Sequence, residues 1–72
     1  MAIDPLNLTF NSTICLNKAI CQVKLNNNEA ALATLNVCLK MNPDYAKALV
    51  KRGEVYQNMD EWEEAVQDYG AA

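Results

Sequence analysis

The sequence predicts an all-α fold of about four antiparallel helices, and three observations carry that prediction. One pattern of large and small residues is written twice, at a constant offset that carries Ala19 onto Gly53 and Ala31 onto Ala65. Each copy divides into two stretches of helical spacing separated by a short polar turn. Pro43 sits between the copies in Asn42-Pro43-Asp44, where its ring suits a turn or a first helical position; inside a helix it would cost about 3 kcal/mol.

The same offset sets Gln22 on Tyr56, Leu25 on Met59 and Leu32 on Val66. Leu35 then meets Tyr69, and Cys38 meets Ala72. Small residues mostly answer small ones, which lets neighbouring helix backbones approach closely. The first copy predicts helices over about residues 12–25 and 28–41, and the second over about 44–58 and from 61 to the end. Asn26 with Glu29, and Asp60 with Glu63, read as reciprocal N-terminal capping pairs for the second and fourth helices. Glu61, Glu63 and Glu64 fall in the first turn of the fourth helix, where they complement its positive dipole end. Tyr45, Tyr56, Trp62 and Tyr69 are expected in core and inter-repeat packing. The pairs Leu25/Met59 and Leu35/Tyr69 are expected to close the two hairpins. A stack this small also leaves end faces that neighbouring repeats should cover.

Composition narrows the function classes. At 72 residues the chain holds one small domain. The net charge of -3 argues against a general nucleic-acid surface. The sign is polarised: residues 1–53 carry all six basic side chains, while residues 54–72 carry six acidic ones and no basic ones. No apolar run approaches a membrane span, and no basic segment precedes an apolar core as in a signal peptide. Cys15, Cys21 and Cys38 cannot all pair with one another, so buried thiols in a reducing, cytoplasmic setting are the expectation. Without histidine there is no Ser/His or Cys/His relay, and without CxxC no compact thiolate metal site. Neither enzyme activity, nor a metal, nor a cofactor is expected.

The repeat period, together with "RGEVY" and "EWEEAVQDYGAA", resembles the tetratricopeptide repeat family. The resemblance covers about residues 12–72: one repeat over 12–45, and a second over 46–72 that stops seven residues short of full length. The first copy departs from the family pattern at Ala19, Gln22 and Cys38, which stand where Gly, Tyr and Ala are familiar. Ile3-Asp4-Pro5 look like the close of a preceding repeat, so residues 1–11 would end that repeat and begin an extended first helix, starting near Leu6. That extension, with "NPDYAKALVKRGEVY", is similar to the repeat region of J-domain co-chaperones and of related adaptors for heat-shock chaperones. A J domain itself is absent, since its His-Pro-Asp signature needs histidine. The opening Met-Ala and the short second repeat suggest a piece excised from a longer protein.

The resemblance implies a segment of a right-handed superhelix whose first helices line a concave groove. In chaperone-binding members that groove clamps the carboxylates of a peptide ending Glu-Glu-Val-Asp. Carried over by position, the clamp residues of this chain are Asn17, Lys47 and Lys51, with Lys51 standing where the family has Arg and so lacking the flat two-pronged geometry. Leu16 and Ile20 are the expected apolar groove contacts. The residues alone point to the same face. Lys47 and Lys51 are four apart on one helix side, and their mutual repulsion of roughly a few tenths of a kcal/mol would become attraction for an anion. Arg52 is rotated by about 100° from Lys51 and is not expected to replace it. The competing expectations are a structural scaffold indifferent to charge reversal at Lys47 and Lys51, and self-association, as a homodimer, through uncovered end faces.

Overall fold

The computed structural model describes the backbone over residues 5–72 and the side chains over residues 12–72. Four helices follow in order: α1 (Pro5–Lys24), α2 (Asn28–Met41), α3 (Ala46–Asn58) and α4 (Trp62–Ala71). They form two antiparallel hairpins, α1–α2 and α3–α4, which stack through α2 against α3, with a smaller contact between α1 and α3. The all-α, four-helix expectation holds, including the extended first helix. Pro5 opens that helix, where its missing N–H would have no helical partner anyway. The expectation that Ile3 and Asp4 close a preceding repeat lies outside the described residues.

The two hairpin turns share one hydrogen-bond pattern. Asn27 N–H donates to the Gln22 carbonyl and Asn26 N–H to the Val23 carbonyl, both at 2.9 Å. One period later Glu61 N–H donates to Tyr56 at 2.8 Å and Asp60 N–H to Gln57 at 3.0 Å. These are Schellman closures of α1 and α3, which occupy carbonyls a helix end leaves open. Asn26 and Asp60 hold the left-handed position, with φ of 59° and 60°. The expected capping pairs are therefore corrected. Asn27 and Glu61 are the N-cap residues of α2 and α4, and neither makes a side-chain cap bond. Asn and Asp suit both motifs, because a short polar side chain also tolerates the left-handed backbone. Glu61 consequently precedes α4, and only Glu63 and Glu64 lie in its first turn.

The start of α3 also differs from expectation, by two residues. Tyr45 N–H donates to the Asn42 carbonyl at 3.1 Å, closing a turn with Pro43 at its second position. The helix begins only after that turn, at Ala46.

The core is narrow and rich in small residues. Ala19, Ala31, Leu35, Cys38, Ala48 and Val55 are fully buried, with Leu16, Leu39 and Leu49 nearly so. Burying a leucine of this kind contributes about 1.5–3 kcal/mol. Tyr45 and Met59 pack partly against this cluster. Two of the side chains expected in packing lie outside this core. Leu25 is 78% exposed, so the first hairpin is not closed by it, and Trp62 is 57% exposed on α4. Tyr69 is 38% exposed yet lies over Gly53: a Cβ at that glycine would stand 2.8 Å from Tyr69 Cε1. The thiols also divide. Cys38 is buried, Cys15 is half-buried and Cys21 is exposed, which corrects the expectation of three buried thiols. The Cys38 thiol faces the Ser12 carbonyl at 3.9 Å. Burial, and secondarily the neighbouring Cys15 thiol, push its pKa up to about 12.

Candidate functional site

The first helices of the two hairpins carry the same stripe of positions. On α1 it reads Thr13, Leu16, Asn17, Ile20; at the equivalent repeat positions of α3 it reads Lys47, Val50, Lys51, Glu54. Spacings of three and four keep each stripe on one helix side. An open groove of about 320 Å³ lies between the two helices. Its walls are Leu16 and Ile20 from α1, and Ala46, Lys47, Val50, Lys51 and Glu54 from α3.

Four of the five residues singled out from sequence thus meet at one place: Leu16, Ile20, Lys47 and Lys51. Asn17 does not line the groove; it is exposed on α1, at the stripe position equivalent to Lys51. Leu16 is 5% exposed, so it acts as much in the core as in the groove floor. The sequence reading missed Ala46, Val50 and Glu54. The signal for Glu54 was available, since it follows Lys51 by three on the same helix. Its Oε2 accepts a hydrogen bond from Lys51 Nζ at 3.1 Å. Among the described residues no carboxylate pairs with Lys47.

Arg52 turns to the opposite side of α3. Its Nε and Nη2 each donate to the Asp68 carboxylate at 2.8 Å, and Nη1 donates to Asn36 Oδ1 at 3.0 Å. The guanidinium therefore bridges α2, α3 and α4, and its Cζ lies 5.9 Å from the Tyr56 ring centroid. The Asp68 hydrogen bond raises the Arg52 pKa above its ordinary value, against the lowering effect of burial. This arginine holds helices together, and the cations left for the groove are lysines. Among the described residues no cluster of three or more His, Cys, Asp or Glu side chains could hold a metal ion, and no helix is long and apolar enough to cross a membrane.

Stacked helical hairpins repeated at a fixed period, with a groove between their first helices, define a class of repeat module, and comparison with known families agrees. Tetratricopeptide repeat profiles match residues 12–45 and 47–72. The chain belongs to the tetratricopeptide repeat family, as a module for protein–protein interaction. It is 32% identical over 69 residues to mouse (Mus musculus) DnaJ homolog subfamily C member 7, a match covering 96% of this chain and 14% of that protein. It is also 32% identical over 72 residues to the DnaJ homolog subfamily C member 7 homolog of Dictyostelium discoideum, covering 100% of this chain and 13% of that one. The corresponding Schizosaccharomyces pombe homolog is 31% identical over 72 residues, with 100% and 15% covered. The chain thus spans about a seventh of the length of these relatives. No solved structure matches the chain.

Proposed function

We propose that the groove between α1 and α3 binds the C-terminal ends of other proteins, and that the module serves a co-chaperone by engaging heat-shock chaperone tails ending Glu-Glu-Val-Asp. The observation that carries this reading is the convergence of Lys47 and Lys51 with Leu16, Ile20 and Val50 around one open groove. Two ammonium groups supply attraction for a terminal carboxylate, and the apolar residues accept the side chain beside it. Similarity to DnaJ homologs supports the chaperone setting. Asn17 stands beyond the groove wall, where its amide can donate to a longer ligand. Each charge-assisted contact is worth about 1.5–3 kcal/mol, roughly tenfold to a hundredfold in affinity.

The test is a residue-resolved NMR titration with a peptide ending Glu-Glu-Val-Asp, repeated with its terminus amidated. Shifts concentrated at Lys47, Lys51, Ile20 and Asn17, and abolished by amidation, are expected. Equal, scattered shifts with both peptides would reject the carboxylate site. They would favour a second reading, a scaffold that docks through an uncovered face, for which the exposed Trp62 and Val66 of α4 are the specific observation.

A further inference from the structure

The groove has two unlike walls. The α1 side is apolar, through Leu16 and Ile20, whereas the α3 side carries Lys47, Lys51 and Glu54. Glu54 stands at the repeat position that Ile20 occupies on α1, so one stripe has a carboxylate where its twin has a hydrocarbon. The carboxylate is engaged: its Oε2 lies 3.1 Å from Lys51 Nζ, with the two side chains 43% and 34% exposed respectively. Lys47 lies one helical turn away on the same wall and has no such partner among the described residues.

We infer that Glu54 is a specificity-determining residue of this groove: it occupies Lys51 in the free chain and so lowers the affinity for peptide ends with a run of acidic side chains more than that for ends with fewer acidic groups. The inference rests on the peptide-binding reading above and deepens it. A ligand carboxylate arriving at Lys51 must displace Glu54 or share the ammonium with it. The ammonium has donors enough to share, three in all, but sharing brings two like charges close together. Each further acidic side chain on the ligand adds to that repulsion. A ligand with one carboxylate at Lys47 and an apolar side chain against Leu16, Ile20 and Val50 leaves the Lys51–Glu54 pair intact. The pair is partly solvated and screened, so the discrimination is graded rather than absolute.

The experiment compares the whole chain with its Glu54→Gln variant by NMR titration at low salt. The peptides end Glu-Glu-Val-Asp and Ala-Ala-Val-Asp, each with a free and an amidated terminus. Glu54→Gln keeps the size of the side chain, and Glu54→Ala serves as the second variant. The expected result is that both substitutions tighten the Glu-Glu-Val-Asp peptide about two- to fivefold and the Ala-Ala-Val-Asp peptide distinctly less. Equal tightening of the two peptides, or none, with the free terminus still preferred over the amidated one, would overturn the role of Glu54 and leave the groove reading standing. Indifference to amidation in wild type and variants alike would remove both.

Discussion

The two hairpins share a turn but not an interior. Both close their first helices through the same pair of Schellman bonds, at equivalent repeat positions, with the left-handed residue at φ of 59° in one and 60° in the other. Between the helices they diverge. In α1–α2 the fully buried Ala19 has Leu35 at its hairpin-partner position, and the polar contact is neutral, with the Thr34 hydroxyl donating to Gln22 Oε1 at 2.7 Å. In α3–α4 the equivalent positions are Gly53 and Tyr69, whose hydroxyl also donates to Gln57 Oε1, and the polar contact is the Arg52–Asp68 ion pair. The outer side differs as well: Leu32 on α2 packs against the core, whereas its counterpart Val66 on α4 is 68% exposed. One backbone plan thus accepts an apolar or an ionic interior, provided that volumes and polar partners match within each hairpin.

The largest contrast should come from truncating the apolar core. Leu35→Ala, at a fully buried position, is expected to cost about 3 kcal/mol in urea unfolding, whereas Val66→Ala on α4 changes stability by less than about 0.5 kcal/mol. Comparable losses would mean that the α4 face is covered in solution.

Next comes the ion pair. Asp68→Ala leaves Arg52 with Asn36 and some solvent, and is expected to cost about 2 kcal/mol, less than a fully buried pair would. Thr34→Val in the first hairpin should cost about 1 kcal/mol, because it removes a neutral contact. If the two substitutions cost the same, the electrostatic distinction between the hairpins fails.

The buried thiol gives the first hairpin a pH dependence. Because the folded-state pKa of Cys38 lies above its ordinary value of 9.0, at about 12, its stabilising contribution is complete below about pH 9 and is lost progressively as the pH rises through the folded value. Between about pH 7 and about pH 10, the chain should lose about 1 kcal/mol more than its Cys38→Ala variant in denaturant titrations.

The Gly53/Tyr69 contact can be tested by converting it toward its counterpart. Gly53→Ala alone should cost about 1 kcal/mol, the ring clash outweighing the helix preference of alanine. In a Tyr69→Leu background, which restores the Ala/Leu combination of the first hairpin, the cost should vanish or change sign. An additive double-mutant cycle would refute the steric explanation.

The smallest effect tests the shared turn. Asn26→Gly and Asp60→Gly should each stabilise the chain by about 0.5 kcal/mol, and by similar amounts, since both residues hold the left-handed backbone. Unequal gains in thermal unfolding would show that the two turns differ energetically despite their common geometry.

Much of this architecture was legible in the residues themselves. The helical period and the position of Pro43 located four helices in order, and Lys47 and Lys51 stood four apart on one side of the third. Local pattern was ambiguous at Asn26 and Asp60. A short polar residue three positions before a glutamate fits an N-cap, but it also fits the left-handed position that ends the preceding helix. The hydrogen bonds decide between the two, and they depend on where α1 and α3 stop. At the groove, the Lys51–Glu54 spacing was visible, but spacing alone does not say that two exposed side chains meet. The pairing of Arg52 with Asp68, on a different helix, could not be read from spacing within a single one.

By itself the sequence determined what acts within a turn or two of helix: the periodicity, the repeat and the turn residues, because backbone hydrogen bonding and side-chain direction are set by near neighbours. Tertiary structure alone decided what depends on distant partners. It buried Leu35 while leaving Leu25 and Trp62 in solvent, sent Arg52 to Asp68, and left Lys47 and Lys51 beside a groove with Glu54 on the same wall. The reason is that burial and charge pairing are properties of which helix faces meet. A helix of the same pattern presents all its faces until another one packs against it.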